Sequence, residues 1–102
     1  MNIIEKLVQS INYRNFDATV ELFHDACTVR DHIQDKEKTF QGKAGVRSWL
    51  EHLETDATFT FENMLMNREQ ATAEFSYIDT MTKKGKLKLL LEAGKIKELT
   101  IL

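Results

Sequence analysis

The 102-residue chain is poor in cysteine and histidine and contains no proline. Its single cysteine, Cys27, cannot form an internal disulfide, and no cysteine or histidine pair has the spacing of a zinc site. The sequence therefore predicts no metal site, and nothing in it points to an oxidising compartment. With no histidine or cationic partner near it in the pattern, Cys27 is predicted to be a small buried apolar residue.

Long apolar runs are also absent, and no segment approaches the roughly 20 residues that a membrane span needs. The apolar stretch near the start is short and contains Glu5 and Lys6, so it is unlike a signal peptide. A formal net charge of −2 differs from the strongly basic balance of dedicated nucleic-acid binders. We expect a cytoplasmic protein that binds neither a membrane nor a nucleic acid.

Motifs for cofactors and covalent catalysis are missing. There is no Gly-rich phosphate loop, no nucleophile motif and no cofactor fingerprint, so any reaction should proceed without a cofactor. The composition, 42% hydrophobic and 29% charged, is typical of a folded domain. We predict one domain spanning 1–102, which buries about two thirds of its unfolded surface.

In the first half of the chain, apolar residues recur at helical spacing in three segments. The first segment runs from Ile3 to Ile11, and the second follows Asn15, whose side chain can cap a helix. A polar stretch at 34–42 predicts a loop. The third helix follows that loop, and its apolar side consists of Val46, Trp49, Leu50 and Leu53.

From residue 59 onward, the apolar residues alternate with the two-residue period of β-strands. Polar residues at 67–69 predict a turn, and Ala93-Gly94 predicts a tight turn before the last strand. Helices followed by hairpin-connected strands are typical of an α+β fold, in which an antiparallel sheet curls around the helices. The inner faces of the first two strands are predicted to carry Phe59, Phe61, Asn63, Leu65, Ala71, Ala73, Phe75, Tyr77 and Asp79.

One acidic residue interrupts an apolar strand face. The segment 27–33 alternates as a strand, so Asp31 should point the same way as Val29 and Ile33. An ionised carboxylate that faces a core costs several kcal/mol unless it is paired, hydrated or neutralised. Asp31 is therefore either a general acid or base in a cavity, or a structural carboxylate bonded to a backbone N–H or to a nearby Trp or Tyr.

If these strand faces line one concave surface, Asp31 gains polar neighbours there. We predict Asp31 as the catalytic acid or base, with Tyr77 and Asp79 to orient a substrate or share its proton. The predicted ligand-binding residues are Val29, Trp49, Phe59, Phe61, Asn63 and Phe75. The alternative is that the aromatic residues only fill a core and that Asp79 lies in water at a strand end.

The opposite face of the sheet is predicted to carry an apolar band: Met64, Met66, Ile78 and Leu90. Glu62 and Glu74 of one subunit would meet Lys86 and Lys88 of a second, since a two-fold interface is self-complementary. We therefore expect a homodimer through the outer sheet face. The lysines of the last two strands are predicted to form a solvated outer face that also blocks further strand pairing. The alternative is that these lysines bind an anionic partner.

Three stretches carry a resemblance to a known family: residues 15–31, residues 40–47 and Gly94-Lys95-Ile96. These stretches resemble the nuclear transport factor two-like superfamily. Residues 15–31 resemble its passage from a short helix into the first strand: NFDATVELFHDACTVRD. Residues 40–47 resemble its entry into the third helix, and Gly94-Lys95-Ile96 resembles its turn into the last strand. The resemblance covers essentially the whole chain. It implies a cone-shaped, curled antiparallel sheet with three helices packed on its concave face, as in SnoaL-like members.

The superfamily includes SnoaL-like polyketide cyclases, ketosteroid isomerases, scytalone dehydratase and non-catalytic binding or dimerisation domains, so the fold does not give the function. The resemblance puts Asp31 at the position of the isomerases' catalytic base, but puts Leu7 and Lys86 where their two oxyanion donors lie. It implies a pocket for a small apolar or amphipathic molecule, with isomerase-, cyclase- or dehydratase-like proton transfer but no steroid isomerisation. The alternative is a non-catalytic ligand-binding or dimerisation module.

Overall fold

A computed structural model describes residues 2–32, 37–53, 58–78 and 82–102, and at positions 77–78 and 82–83 it describes the backbone alone. The predicted α+β fold is confirmed: the described residues form three helices and a six-stranded sheet. The elements are α1 (Ile3–Asn12), α2 (Phe16–Glu21), β1 (Phe23–Asp31), β2 (Lys38–Gln41), α3 (Gly42–His52), β3 (Phe59–Met66), β4 (Gln70–Ile78), β5 (Thr82–Glu92) and β6 (Lys95–Ile101).

Side-chain caps begin the first two helices. The Asn2 side chain accepts a hydrogen bond from the Glu5 backbone N–H at 2.8 Å, and the Glu5 carboxylate accepts one from the Asn2 N–H at 3.3 Å. This reciprocal capping box satisfies two N–H groups that the first turn of a helix leaves without partners. Asn15 caps α2 as predicted, because its side chain accepts from the Ala18 N–H at 3.2 Å.

The strand order in the sheet is β2-β1-β6-β5-β4-β3. All neighbouring strands are antiparallel except β1 and β6, which are parallel over Thr28–Glu98 to Asp31–Ile101. The prediction of a wholly antiparallel sheet is therefore wrong at this pair. A hairpin can join only antiparallel strands, whereas β1 and β6 are joined by all of the chain between them, which permits the parallel arrangement.

A short strand occupies part of the predicted loop. The loop prediction for 34–42 is wrong at β2, which pairs with β1 from Asp31–Lys38 to Thr28–Gln41. This strand has four residues, three of which are exposed, and it lies at one edge of the sheet. A one-sided, exposed edge strand needs no alternation of apolar residues, so its sequence carries no strand signal.

Both predicted turns are confirmed. The Asn67 side chain accepts from the N–H groups of Glu69 and Gln70 at 2.9 and 2.8 Å, which closes the turn between β3 and β4. Ala93 and Gly94 have φ values of 52° and 77°, so a two-residue turn with both φ angles positive joins β5 and β6. Such turns match the right-handed twist of the strands that they connect.

The end of α1 is fastened to the start of β3 by a single side chain. The Phe59 N–H donates to Asn12 Oδ1, and Asn12 Nδ2 donates to the Phe59 carbonyl oxygen, both at 2.9 Å. β3 is the last strand in the order of the described sheet, so one of its edges has no neighbouring strand. On that edge, the Asn12 side-chain amide makes the two hydrogen bonds to Phe59 that a peptide group of another strand would otherwise make. The same bonds hold α1 over one side of the sheet.

The helices and the concave face of the sheet enclose the core. Burying a Leu, Ile or Phe side chain completely contributes about 1.5–3 kcal/mol to the free energy of unfolding. The buried apolar side chains of the core therefore supply most of the driving force for folding. None of the described helices is long and apolar enough to cross a membrane. The largest side chains that are almost fully buried are Phe23, Ile4, Leu7, Leu89, Ile96, Leu99, Val29 and Val46.

Candidate functional site

Asp31 is the last residue of β1 and lies on the inner side of the sheet. Cys27 and Val29, which precede it on the same strand face, are 2% and 0% exposed. Asp31 itself is half-buried, because the strand ends there. The carboxylate therefore lies at the boundary between core and solvent, where an ionised group retains part of its hydration.

The indole of Trp49 contacts this carboxylate directly. Trp49 Nε1 donates a hydrogen bond to Asp31 Oδ2 across 3.0 Å, and the Trp49 side chain is only 3% exposed. A buried indole N–H needs an acceptor, and a carboxylate is a strong one. This bond links α3 to the end of β1. It also orients the carboxylate relative to the helix.

A small apolar cavity lies between the helices and the sheet, and Trp49 forms part of its wall. Its volume is about 30 Å³. Small-molecule pockets generally have volumes of about 300–1,000 Å³, so this cavity matches only a small part of a ligand. Its described lining consists of Leu7, Val8, Ile11, Trp49, Leu53, Phe59, Phe75, Leu87, Leu99 and Ile101.

Asp31 lies beside the cavity rather than in its lining. Two of its neighbours belong to the cavity wall: Trp49 through the hydrogen bond, and Ile101 through the strand pairing of β1 with β6. The arrangement is therefore an apolar cavity with one carboxylate next to its wall. Such an arrangement can hold a small apolar group and exchange a proton with a molecule that reaches past Trp49.

The structure brings some of the predicted ligand-binding residues together. Trp49, Phe59 and Phe75 all line the cavity, and the rings of Phe59 and Phe75 pack at a centroid distance of 6.1 Å with a tilt of 56°. Val29 is fully buried in the core but is not part of the cavity lining. Phe61 is half-buried and lines a groove between α1 and β3.

Asn63 is not on the inner face, so this part of the prediction is wrong. Its side chain is exposed and donates to the Glu74 carboxylate at 2.6 Å. A β-bulge lies between Glu62 and Leu65, and Asn63 has a φ of 54°. Three steps along β3 there match two steps along β4, so the extra residue reverses which face each later side chain occupies.

The bulge also exchanges the predicted faces of Leu65 and Met66. Leu65 pairs with Thr72 and is 72% exposed, so it lies on the outer face instead of the inner one. Met66 pairs with Ala71, which is 1% exposed and belongs to the core side. Directly paired residues of antiparallel strands share a face, so Met66 lies on the inner side, where Leu65 was predicted.

The two remaining predicted site residues, Tyr77 and Asp79, lie near the end of β4 and just beyond it in the chain. Tyr77 pairs with Phe59 in the backbone register of β3 and β4, and its side chain lies outside the described part. Asp79 is outside the described residues altogether. Their predicted catalytic roles stay predictions.

Sequence reasoning missed the contribution of α1 to the cavity. Leu7, Val8 and Ile11 form part of its wall, although their spacing predicted only a buried helical stripe. An apolar helix face is the same signal for a core as for a cavity, so no pattern separates the two. The sheet and the end of α3 add Leu53, Leu87, Leu99 and Ile101, which were also not predicted as site residues.

Cys27 behaves as predicted for a buried apolar residue. Burial raises the pKa of its thiol above the ordinary value of 9.0, although a backbone hydrogen bond and the charge of Lys43 oppose this shift. The thiol is therefore protonated at neutral pH and is a poor nucleophile. Within the described ranges, no group of three or more His, Cys, Asp or Glu side chains is arranged to hold a metal ion.

Comparison with protein families identifies the family of this chain. The model of the SnoaL-like domain family matches residues 4–96, so the chain belongs to that family. A search of curated proteins found no match to the chain.

Solved structures with the same fold share little sequence with this chain. A protein from Sphaerobacter thermophilus is 13% identical with a TM-score of 0.86, over 98% of this chain and 91% of the other. A protein from Catenulispora acidiphila with a ketosteroid isomerase-like fold, in complex with trimethylamine, is 15% identical with a TM-score of 0.83, over 98% and 83%. A Sinorhizobium meliloti protein provisionally named a polyketide cyclase is 16% identical with a TM-score of 0.79, over 98% and 93%. At these identities, the likeness shows the fold alone.

Proposed function

We propose that this protein binds a small, largely apolar molecule in the cavity, and that Asp31 transfers a proton to or from it without a cofactor. The observation that carries this proposal is the double role of Trp49, which forms a cavity wall and holds the Asp31 carboxylate at 3.0 Å. A bound molecule that contacts the indole of Trp49 would therefore lie close to the Asp31 carboxylate, whose orientation this hydrogen bond fixes.

The chemistry that this arrangement favours is removal of a proton from a carbon next to a carbonyl group. The carboxylate accepts the proton and becomes a carboxylic acid, the electron pair of the C–H bond moves into an enolate, and the proton is later returned. Tyr77 and Asp79 are part of the proposal as groups that orient the substrate or share its proton. Such a step needs no metal or organic cofactor.

The size of the cavity favours a small substrate or a small buried part of one. A volume of about 30 Å³ accommodates a methyl-sized group and excludes a fused ring system. The complex of the Catenulispora acidiphila protein with trimethylamine supports this view, because that neighbour holds a molecule with three methyl groups.

Hydrogen–deuterium exchange in a small ketone tests the proposal. Acetone, whose methyl group matches the volume of the cavity, is incubated with the protein in D₂O, and the loss of its α-hydrogens is followed by NMR. Binding is measured separately, from the line broadening of the acetone signal. We expect exchange faster than with an equal concentration of acetate, and loss of that excess in Asp31→Asn with binding retained. Asp25→Asn is the matched control, since Asp25 is an exposed carboxylate on the same strand.

If Asp31→Asn exchanges as fast as the natural protein, Asp31 is not the acid or base. If no small ketone or amine causes any shift in cavity methyl signals, the binding proposal is wrong as well. Loss of exchange in Asp25→Asn to the same degree as in Asp31→Asn would assign the effect to surface charge.

A second candidate function is that of a non-catalytic dimerisation module. Leu65 is 72% exposed on the outer face of the sheet, and Glu74 and Lys86 lie in register on adjacent strands of the same face. A two-fold axis through this face would bring acidic and basic groups of two subunits together. Homodimerisation through the outer face therefore stays part of our proposal, as do a cytoplasmic location and the lack of nucleic-acid or membrane binding.

A further inference from the structure

A glycine in the middle of a strand lies directly beneath an aromatic wall of the cavity. Gly85 on β5 pairs with Phe75 on β4, and paired residues of antiparallel strands share a face. A Cβ placed on Gly85 would lie 2.6 Å from Phe75 Cζ and 2.8 Å from Phe75 Cε1. The outer edge of the phenyl ring therefore occupies the space that any other residue would fill with its own side chain.

The position of this ring affects the cavity because Phe75 forms part of its wall. Carbon atoms in ordinary contact are about 3.5–4.0 Å apart, so a Cβ at position 85 would displace the ring by roughly 1 Å. On the β3 side the ring already packs against Phe59, with centroids 6.1 Å apart. Among the described surroundings of the ring, the cavity offers open space, with a volume of about 30 Å³, so we expect the displaced ring to move into it.

We propose that Gly85 determines how large a group the cavity accepts, by letting the Phe75 ring lie against β5. This inference rests on the proposed ligand-binding role of the cavity. With glycine at position 85 the cavity admits a methyl-sized or similarly compact apolar group. With any larger residue there, the ring fills the cavity and excludes that group.

Gly85 also has a second close neighbour, which gives a competing reason for a glycine. The same Cβ would lie 2.6 Å from the carbonyl oxygen of Leu102, and Leu102 pairs with Lys86 through two backbone hydrogen bonds. A glycine is a common solution where another backbone approaches a strand closely. The test must therefore separate the effect of the ring from the effect of the Leu102 backbone.

Xenon is a suitable probe, because dry apolar cavities in proteins bind it without any polar contact. We would titrate the natural protein, Gly85→Ala and the double variant Gly85→Ala/Phe75→Leu with dissolved xenon. The shifts of the methyl signals of Leu7, Leu99 and Ile101, which line the cavity, report binding. Gly94→Ala is the control for a general loss of stability, because its φ of 77° strains an alanine there, while a Cβ meets nothing within 4 Å.

The natural protein and Gly94→Ala should bind xenon alike, and Gly85→Ala should bind it at least roughly fivefold more weakly, because the ring fills the space that xenon needs. The double variant should regain binding, since its shorter side chain at position 75 no longer reaches the cavity. Unchanged binding in Gly85→Ala overturns this inference. Binding that stays lost in the double variant also overturns it, because the Leu102 backbone is then the cause.

Two further outcomes are decisive. If the natural protein binds no xenon, the proposed ligand-binding role of the cavity is wrong. If the natural protein and Gly85→Ala bind xenon equally well, the ligand-binding role stands and only the role of Gly85 is overturned. If Gly85→Ala does not fold, Phe75→Leu alone decides. Removing the ring should connect the space above Gly85 to the cavity, so that xenon shifts the Gly85 α-proton signal in the variant and not in the natural protein. An unmoved Gly85 signal in Phe75→Leu overturns the inference.

Discussion

Trp49 and Asp31 are joined by a hydrogen bond of 3.0 Å between the indole Nε1 and the carboxylate Oδ2. The indole is buried and the carboxylate is half-buried, so the bond crosses the boundary of the core. One side chain thereby connects the apolar cavity with the acid or base that we propose. We expect this contact to contribute to the stability of the fold and to the orientation of Asp31.

Trp49→Phe should lower the free energy of unfolding. Phenylalanine keeps an aromatic cavity wall but cannot donate to Asp31, and hydrogen bonds to charged groups contribute about 1.5–3 kcal/mol. Urea unfolding followed by circular dichroism measures the loss. In Asp31→Asn the further effect of Trp49→Phe should be smaller, since the charge is already gone. Equal effects of Trp49→Phe in both backgrounds would show that lost packing, and not this bond, accounts for the change.

Alkaline pH should destabilise the fold through Cys27. Burial raises the pKa of its thiol in the folded protein above the ordinary value of 9.0. The unfolded chain therefore releases this proton at a lower pH, and the free energy of unfolding falls as pH rises from the ordinary thiol pKa to the folded one. Below that window both states are protonated and the contribution of Cys27 is constant. Urea unfolding at a series of pH values measures the slope.

The matching variant for this pH dependence is Cys27→Ala, which removes the thiol and leaves the other titrating groups. Its stability should be lower overall because a buried side chain becomes smaller, but it should decline less steeply above the thiol pKa than that of the natural protein. Identical slopes for the two proteins would assign the alkaline loss to other groups.

The protein should not isomerise unsaturated ketosteroids. The resemblance implies that Leu7 lies at one position where isomerases hold an oxyanion donor, and the Leu7 side chain is an apolar part of the cavity wall. Lys86, at the other, is exposed. The cavity volume of about 30 Å³ also excludes a steroid ring system. A spectrophotometric assay that follows conjugation of the steroid enone checks this prediction, and turnover above the rate with acetate would refute it.

Leu65→Glu should weaken the proposed homodimer, and Leu65→Glu combined with Leu90→Glu should weaken it further. Leu65 is exposed on the outer face, and Leu90 is half-buried on the same face, so both would be covered by a second subunit. Met66→Glu is the control, because the bulge directs Met66 to the inner side. Light scattering at micromolar concentration measures the mass. A monomeric mass for the natural protein would rule the dimer out.

The helices and most of the sheet could be predicted because their signals are repeated along the chain. The stripe in α1 and the alternation in β4 each contain several residues, so no single exception changes the prediction. The bulge at Asn63 could not be predicted in this way, since one added residue leaves the apolar pattern intact and reverses the faces beyond it. Asparagine tolerates positive φ better than most residues, and this is the one local hint that the sequence offers.

The candidate site was predictable only in part, for a related reason. The positions of Asp31, Phe59 and Phe75 followed from strand alternation, and Trp49 followed from the apolar stripe of the third helix. The cavity wall from α1 and the space above Gly85 depend on how separate elements pack together. Packing of this kind is a property of three-dimensional distances and has no periodic signal in the sequence.

The two hydrogen bonds between Asn12 and Phe59 have a consequence for the addition of further strands to the edge of the sheet. An outermost strand offers its backbone groups to any other extended chain, and sheets can grow into fibres by such addition. Here the Asn12 amide already occupies the N–H and C=O of Phe59 on β3. An incoming strand would have to displace the Asn12 side chain from Phe59 before it could pair there. Asn12 of α1 therefore opposes the addition of another strand at the first residue of β3.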